Sequence, residues 1–194
     1  WSRAKNYEPY LTDELTQPML ELPFAPGHTW NYTGGPHEVW GEGSPLAALD
    51  FAPVGVKNCD LTNEWITTSA PGLVIRSEGA MVMIDLDGDG YEQTGWVLFY
   101  LHVAANERVP AGTYLEINER IGHPSCEGGN ATGTHVHIAR KYNGEWILAG
   151  GALPFNLSGW EAREGSAPYQ GTLIKNEQVI KANTVSSFET RITR

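Results

Sequence analysis

The chain has 194 residues, 41% of them hydrophobic, and a formal net charge of -10 from 13 basic and 23 acidic residues. That length can bury one sizeable core, and no apolar run approaches the roughly 18 residues expected of a membrane-spanning helix. The acidic balance offers no basic patch to neutralise phosphates, so nucleic acid is not an expected partner. With 22 Gly, 12 Pro and few helix-like stretches, the composition favours an all-β fold rich in turns.

Positions 1 to about 20 are polar and predict a short helix near Thr12–Leu20 or an extended arm. Leu22-Pro23-Phe24-Ala25-Pro26-Gly27 reads as a Pro-bounded entry to the core, and the stretch from Trp30 to Asp50 as loop-rich, because of Gly34, Gly35, Gly41 and Gly43. From Glu64 the pattern is that of strands: Trp65–Thr68, Leu73–Arg76 after the turn Pro71-Gly72, and Met81–Ile84 paired with Trp96–His102 across a polar Gly-rich loop. Thr113–Ile117 and Glu119–Ile121 are shorter strand candidates. Thr134–Tyr142 and Glu145–Leu148 flank Asn143-Gly144, a strong hairpin signal. Leu173-Ile174 and Val179-Ile180 suggest a terminal hairpin. The expected organisation is an N-terminal arm (1–21), a core (22–150) and an extension packed on it (151–194). Trp96–Tyr100 is apolar on both faces and should be a central strand, with His102 on the face of Trp96, Leu98 and Tyr100.

The segment Gly133-Thr134-His135-Val136-His137 is the most informative chemistry-bearing motif. On a strand, residues two apart share a face, so two imidazoles project into one space, as a metal site or a shared proton-transfer task requires. Other groups could converge on them: His37 in a turn-rich segment, Asp50 inside the apolar run Ala47–Ala52, and His102 at a strand end. A carboxylate in an apolar run is costly to bury unless paired or bound to a cation. A catalytic zinc commonly takes three His, Asp or Glu ligands and keeps an open position; two cysteines, Cys59 and Cys126, are too few for a Cys-rich structural site. In an exported protein those two would form one bridge, in a cytosolic one they would be free; the bridge is the favoured reading.

Thr33-Gly34-Gly35-Pro36-His37, Leu49-Asp50-Phe51, Tyr100-Leu101-His102 and Gly133–His137 follow one another in an order that resembles the M23 metallopeptidases, in particular their LasA-like branch, with Ser69–Val74 and Cys126–Gly133 as further landmarks. The resemblance covers positions 22 to 150. It implies one catalytic zinc held by His37, Asp50 and His137, with His102 and His135 as the catalytic pair: one taking a proton from the attacking water, the other stabilising the oxyanion or donating to the leaving amine. The gap between His37 and Asp50 is long for the family and makes His28 the fallback ligand. It further implies a secreted or periplasmic zinc endopeptidase, a monomer cutting peptide bonds in peptidoglycan cross-links, with Gly-Gly bonds as one candidate.

Trp1, in place of Met, and the lack of a basic-then-apolar leader suggest a processed form. Asp85, Asp87 and Asp89 alternate with Gly as calcium ligands do, the alternative being a solvated acidic turn. Trp40, Tyr32 and Trp146 are candidate groove-wall residues. The competing functions are a catalytically inactive M23-fold wall-binding or regulatory module and a calcium-stabilised adhesion sandwich. Presence of all five site residues disfavours the inactive module.

Overall fold

The computed structural model describes residues 11–194. In chain order the strands are β1 (Thr29–His37), β2 (Ala48–Pro53), β3 (Ile66–Thr67), β4 (Gly72–Glu78), β5 (Met81–Asp85), β6 (Trp96–Leu101), β7 (Tyr114–Leu115), β8 (Arg120–Gly122), β9 (Val136–Tyr142), β10 (Glu145–Trp146), β11 (Asn156–Leu157), β12 (Trp160–Glu164), β13 (Gly171–Lys175), β14 (Gln178–Lys181) and β15 (Arg191–Thr193). All pairings are antiparallel. The main sheet runs β15-β1-β2-β9-β6-β5-β4-β7, with β10 attached to β9; β11 to β14 form a second sheet, and β3 pairs with β8.

Alternation along the central strands sorts side chains into two layers. Leu49 and Phe51 of β2, Leu98 and Tyr100 of β6, and Val136 and Ile138 of β9 enter the large core, where Leu157, Trp160, Ala162 and Leu173 of the second sheet also pack. Ala48, Val97, Phe99, Leu101 and Ala139 face the other way, into a smaller cluster with Val39, Met81 and Met83. β6 lies between β5 and β9 and is buried on both faces, the central strand its sequence predicts. Truncating Phe51 or Phe99 to Ala would cost about 3–5 kcal/mol.

The turn chemistry reads as the sequence predicts at two places. β5 and β6 pair around the acidic loop. Asn143 and Gly144 sit at φ 49° and 81°, the positive values a primed hairpin turn needs, and Tyr142 pairs with Glu145. Two regions differ. Positions 11–21 contain a turn but no helix, and positions 1–10 of that expectation lie outside the described residues. The segment read as loop-rich, Trp30 to Asp50, is loop at positions 38–47 but also holds nearly all of β1 and the first half of β2. Gly34 and Gly35 are absorbed by register irregularities at Tyr32/Gly34 and Gly34/His37, so the strand bends where the pattern of strand-forming residues breaks, while Gly41 and Gly43 stay in the loop at φ 80° and 88°.

Arg140, fully buried at the base of β9, donates to the Gln17 side chain and the Leu153 carbonyl and faces the Phe155 ring at 4.8 Å. Gln17 also donates to the Asn156 carbonyl (2.7 Å). One desolvated cation, its pKa lowered to about 9 by burial, thus joins the N-terminal arm to the segment before β11. Main-chain bonds from β15 to β1 bring the C-terminus back to the same sheet.

Candidate metal centre

His37 ends β1, Asp50 lies in β2 and His137 in β9. Asp50 and His137 are direct cross-strand partners, and His37 is opposite Ala48, two residues before Asp50. Their facing atoms form a compact triangle: His37 Nε2 to His137 Nδ1 is 3.0 Å, His137 Nδ1 to Asp50 Oδ1 3.1 Å and His37 Nε2 to Asp50 Oδ1 3.2 Å. All three residues are buried. Gly34 makes the approach possible, since a Cβ there would meet Asp50 Oδ2 at 2.5 Å.

The outer nitrogens decide the chemistry of the inner ones. His37 Nδ1–H donates to the Gly35 carbonyl (2.7 Å) and His137 Nε2–H to the Val39 carbonyl (3.1 Å). A carbonyl can only accept, so in each neutral ring the proton is on the outer nitrogen. The inner triangle is then two bare imidazole nitrogens and a carboxylate oxygen, three acceptors with no hydrogen among them. Such a cluster is stable only around positive charge. The proton affinities agree. Burial would push the Asp50 carboxyl up, but the surrounding imidazoles, His37 first, hold it well below the usual carboxylate range, so the group is ionised and draws positive charge to itself. Burial would lower His37, yet Asp50 raises it above its ordinary value, whereas burial dominates at His137 and lowers it. The triangle's edges are close to the roughly 3.4 Å that tetrahedral bonds of about 2.0–2.2 Å to one ion would impose. The donor set, two imidazoles and a carboxylate, is a zinc set, and the carbonyls that fix each ring are the outer support such sites use.

His102 and His135 flank the triangle. Their ring centroids are 4.4 Å apart, and His135 Nε2 is 3.7 Å from Asp50 Oδ1. Each is also fixed through Nδ1, His135 by the Gly133 carbonyl (2.7 Å) and His102 by the Glu127 carbonyl (2.9 Å). Both rings are therefore left with Nε2 as the proton acceptor. Burial, then the nearby His135, lowers the His102 pKa to about 4, so this ring is a neutral base at ordinary pH. Strand alternation would send His102 into the large core beside Tyr100. Instead His102 has φ 64°, and this left-handed residue at the end of β6 carries the ring to the opposite face, into the site.

The five side chains lie in a groove of about 1510 Å³ whose walls include Trp40, Glu42, Lys57, Gly129, Tyr169 and Val185. Of the proposed wall residues, Trp40 is there, exposed and edge-on to Phe99 at 5.7 Å. Tyr32 is instead in the large core against Phe51, and Trp146 packs on the Phe99 ring outside the groove. His28 pairs with Glu64 (2.9 Å) and His123 with Glu107 (3.1 Å) against the Trp65 ring; neither reaches the groove. The loop Asp85–Asp89 closes on itself: Asp85 accepts from Asp87 and Gly90, Asp87 from Asp89, and Asp89 from Tyr91 and Thr94. Those bonds account for the acidic turn without an ion, although Asp85, Asp87 and Asp89 also bring one carboxylate oxygen each to within 4.8 Å of one another. Cys59 and Cys126 form the single disulfide.

Over 159 residues, 78% of this chain, the sequence is 28% identical to beta-lytic metalloendopeptidase of Achromobacter lyticus and 26% identical to that of Lysobacter enzymogenes. It is 26% identical over 140 residues to Protease LasA of Pseudomonas aeruginosa. The chain spans 40%, 83% and 32% of those proteins respectively. No family model matches it. The structure superposes on the M23 metalloprotease pseudoalterin with a TM-score of 0.68, covering 87% of this chain and 96% of that one at 22% identity. The chain thus has the fold of the M23 metalloprotease pseudoalterin and is similar in sequence to metalloendopeptidases.

Within this fold, the sequence pattern does not point to the C-terminal segment as part of the groove. Tyr169 stacks on His37 with centroids 4.1 Å apart, and its carbonyl accepts from the Gly35 amide (2.9 Å). The only local hint is the Gly34-Gly35 pair, which marks close approach of other groups: a Cβ on Gly35 would meet the Gln170 backbone at 2.5 Å. The backbone carbonyls that orient the four rings carry no side-chain signature at all.

Proposed function

We propose that the chain is a secreted zinc endopeptidase acting on peptide bonds of bacterial peptidoglycan cross-links, with His37, Asp50 and His137 as the zinc ligands. The triangle of three inward-facing acceptors beside two histidines with free Nε2 atoms carries this reading. A zinc ion held there supplies Lewis acidity, polarising the scissile carbonyl and making a water acidic enough to attack near neutral pH. His102 and His135 then divide the proton traffic. His102, neutral and largely buried, is suited to take a proton on Nε2 as the water attacks. The proton that His102 accepts is the one the leaving amine needs, and His135, whose ring centroid lies 4.4 Å from that of His102 beside Asp50, is placed to pass it on. The carbonyls of Glu127 and Gly133 keep both rings in the tautomer this requires.

A groove of about 1510 Å³ exceeds the roughly 300–1,000 Å³ of small-molecule sites and suits a polymer. The relatives are named as endopeptidases and a protease, which favours catalysis over an inactive wall-binding module. The Cys59–Cys126 bond fits an oxidising location outside the cytoplasm, and all five side chains come from one copy, so a monomer suffices. The test is release of free amino groups from purified peptidoglycan, compared with release from a pentaglycine peptide. Cleavage that phenanthroline abolishes and added zinc restores is expected; cleavage indifferent to the chelator would refute the reading.

A further inference from the structure

The five groove residues rest on two different supports. The triangle is built into the sheet: Asp50 and His137 by strand register, His37 by the end of β1, and the outer nitrogens by Gly35 and Val39. His102 and His135 are held by the segments 125–127 and 133–134. Ser125 donates to the His102 carbonyl from its amide (2.8 Å) and its hydroxyl (2.9 Å), and its own carbonyl accepts from the His135 amide (3.4 Å). Glu127 then accepts from the His102 ring. Cys126 is the middle residue of this strap. Its partner Cys59 lies between Asn58 and Asp60, whose carbonyls accept from the Thr134 amide (2.6 Å) and hydroxyl (2.7 Å). Thr134 in turn separates Gly133, which orients the His135 ring, from His135 itself.

We infer that the Cys59–Cys126 cystine is a positioning element for the proton-transfer pair His102 and His135, and that the metal triangle does not depend on it. The inference rests on the roles given above to those two histidines. Without the covalent link, the strap bearing the Glu127 carbonyl and the loop bearing the Asn58 and Asp60 carbonyls are joined only by hydrogen bonds. The two imidazoles then lose their fixed orientation, while the strands that carry His37, Asp50 and His137 are unaffected. Loss of such outer orientation costs about 10- to 100-fold in turnover.

The experiment compares the wild type with Cys59→Ala/Cys126→Ala, measuring zinc per chain by elemental analysis and kcat and KM on a soluble peptidoglycan fragment. The expected result is a kcat reduced by about 10- to 100-fold, with zinc content and KM within about twofold of the wild type. Unchanged kcat, or zinc lost in proportion to kcat, overturns the inference. If the double variant does not fold, the wild type treated with a mild phosphine reductant, with thiol titration showing that the cystine has opened, is judged by the same split between kcat and zinc. Failure of the wild type itself to bind zinc or cleave the fragment would show in the control, and would overturn the functional reading together with this inference.

Discussion

Asp50 and His137 face each other in register across β2 and β9, with Oδ1 and Nδ1 3.1 Å apart. The sheet therefore delivers a carboxylate and an imidazole to one point before any ion arrives, and the end of β1 adds the second imidazole. A site organised in this way transfers its binding energy directly to the fold. Zinc at 100 times its dissociation constant should stabilise the protein by about 2.7 kcal/mol, which for a chain of this size raises Tm by roughly 5–10 °C. Thermal unfolding with and without phenanthroline measures this, and a Tm insensitive to chelation would contradict it.

Gly34 tests how closely the triangle is packed. A methyl group there would collide with the Asp50 carboxylate, which is buried and has nowhere to retreat. Gly34→Ala should weaken zinc binding by at least about tenfold, comparable to loss of an outer-shell partner, while the sheet stays folded. Zinc titration by competition with a chromophoric chelator reads the difference; wild-type affinity would show that Asp50 adjusts freely.

His102→Ala and His135→Ala should each keep zinc and lose turnover by about 10²–10⁴-fold, the range of a general acid or base. The measurement is kcat alongside zinc per chain. Loss of zinc in either variant would make that residue a ligand and require another assignment of the triangle.

Acid should act on the ligands before it acts on His102. The fold depresses the His102 pKa from 6.5 to about 4, so the folded state favours its neutral form. Its contribution to stability is present above pH 6.5 and is lost as the pH falls towards 4. Inactivation between these values should instead come from protons competing with zinc for the bare nitrogens of His37 and His137. Raising free zinc should then move the acid limb of the pH–rate profile to lower pH. A limb that stays fixed while zinc varies would assign it to a group outside the triangle.

Residue type and spacing made much of this legible. The strands from Trp65 to Trp146 follow from alternating or continuous apolar runs and from Asn143-Gly144, and the histidine pair stands out because a strand puts His135 and His137 on one face. β1 was hidden because Gly34, Gly35 and Pro36 break the pattern of strand-forming residues, although the backbone absorbs them as bulges. The orientation of His102 was hidden for a related reason: a single left-handed residue reverses the alternation that places it in the core. Tyr169 reaches His37 through tertiary packing of the second sheet, which leaves no local trace in the sequence. The orienting carbonyls of Gly35, Val39, Glu127 and Gly133 belong to the backbone, so no residue type announces them.

The most direct test is the metal content of the purified protein and of Asp50→Ala, by elemental analysis. One zinc per chain in the wild type and close to none in the variant is the predicted result. A wild type carrying no transition metal after incubation with zinc, or a variant that binds it as well as the wild type, would contradict the three-acceptor centre on which the proposed chemistry stands.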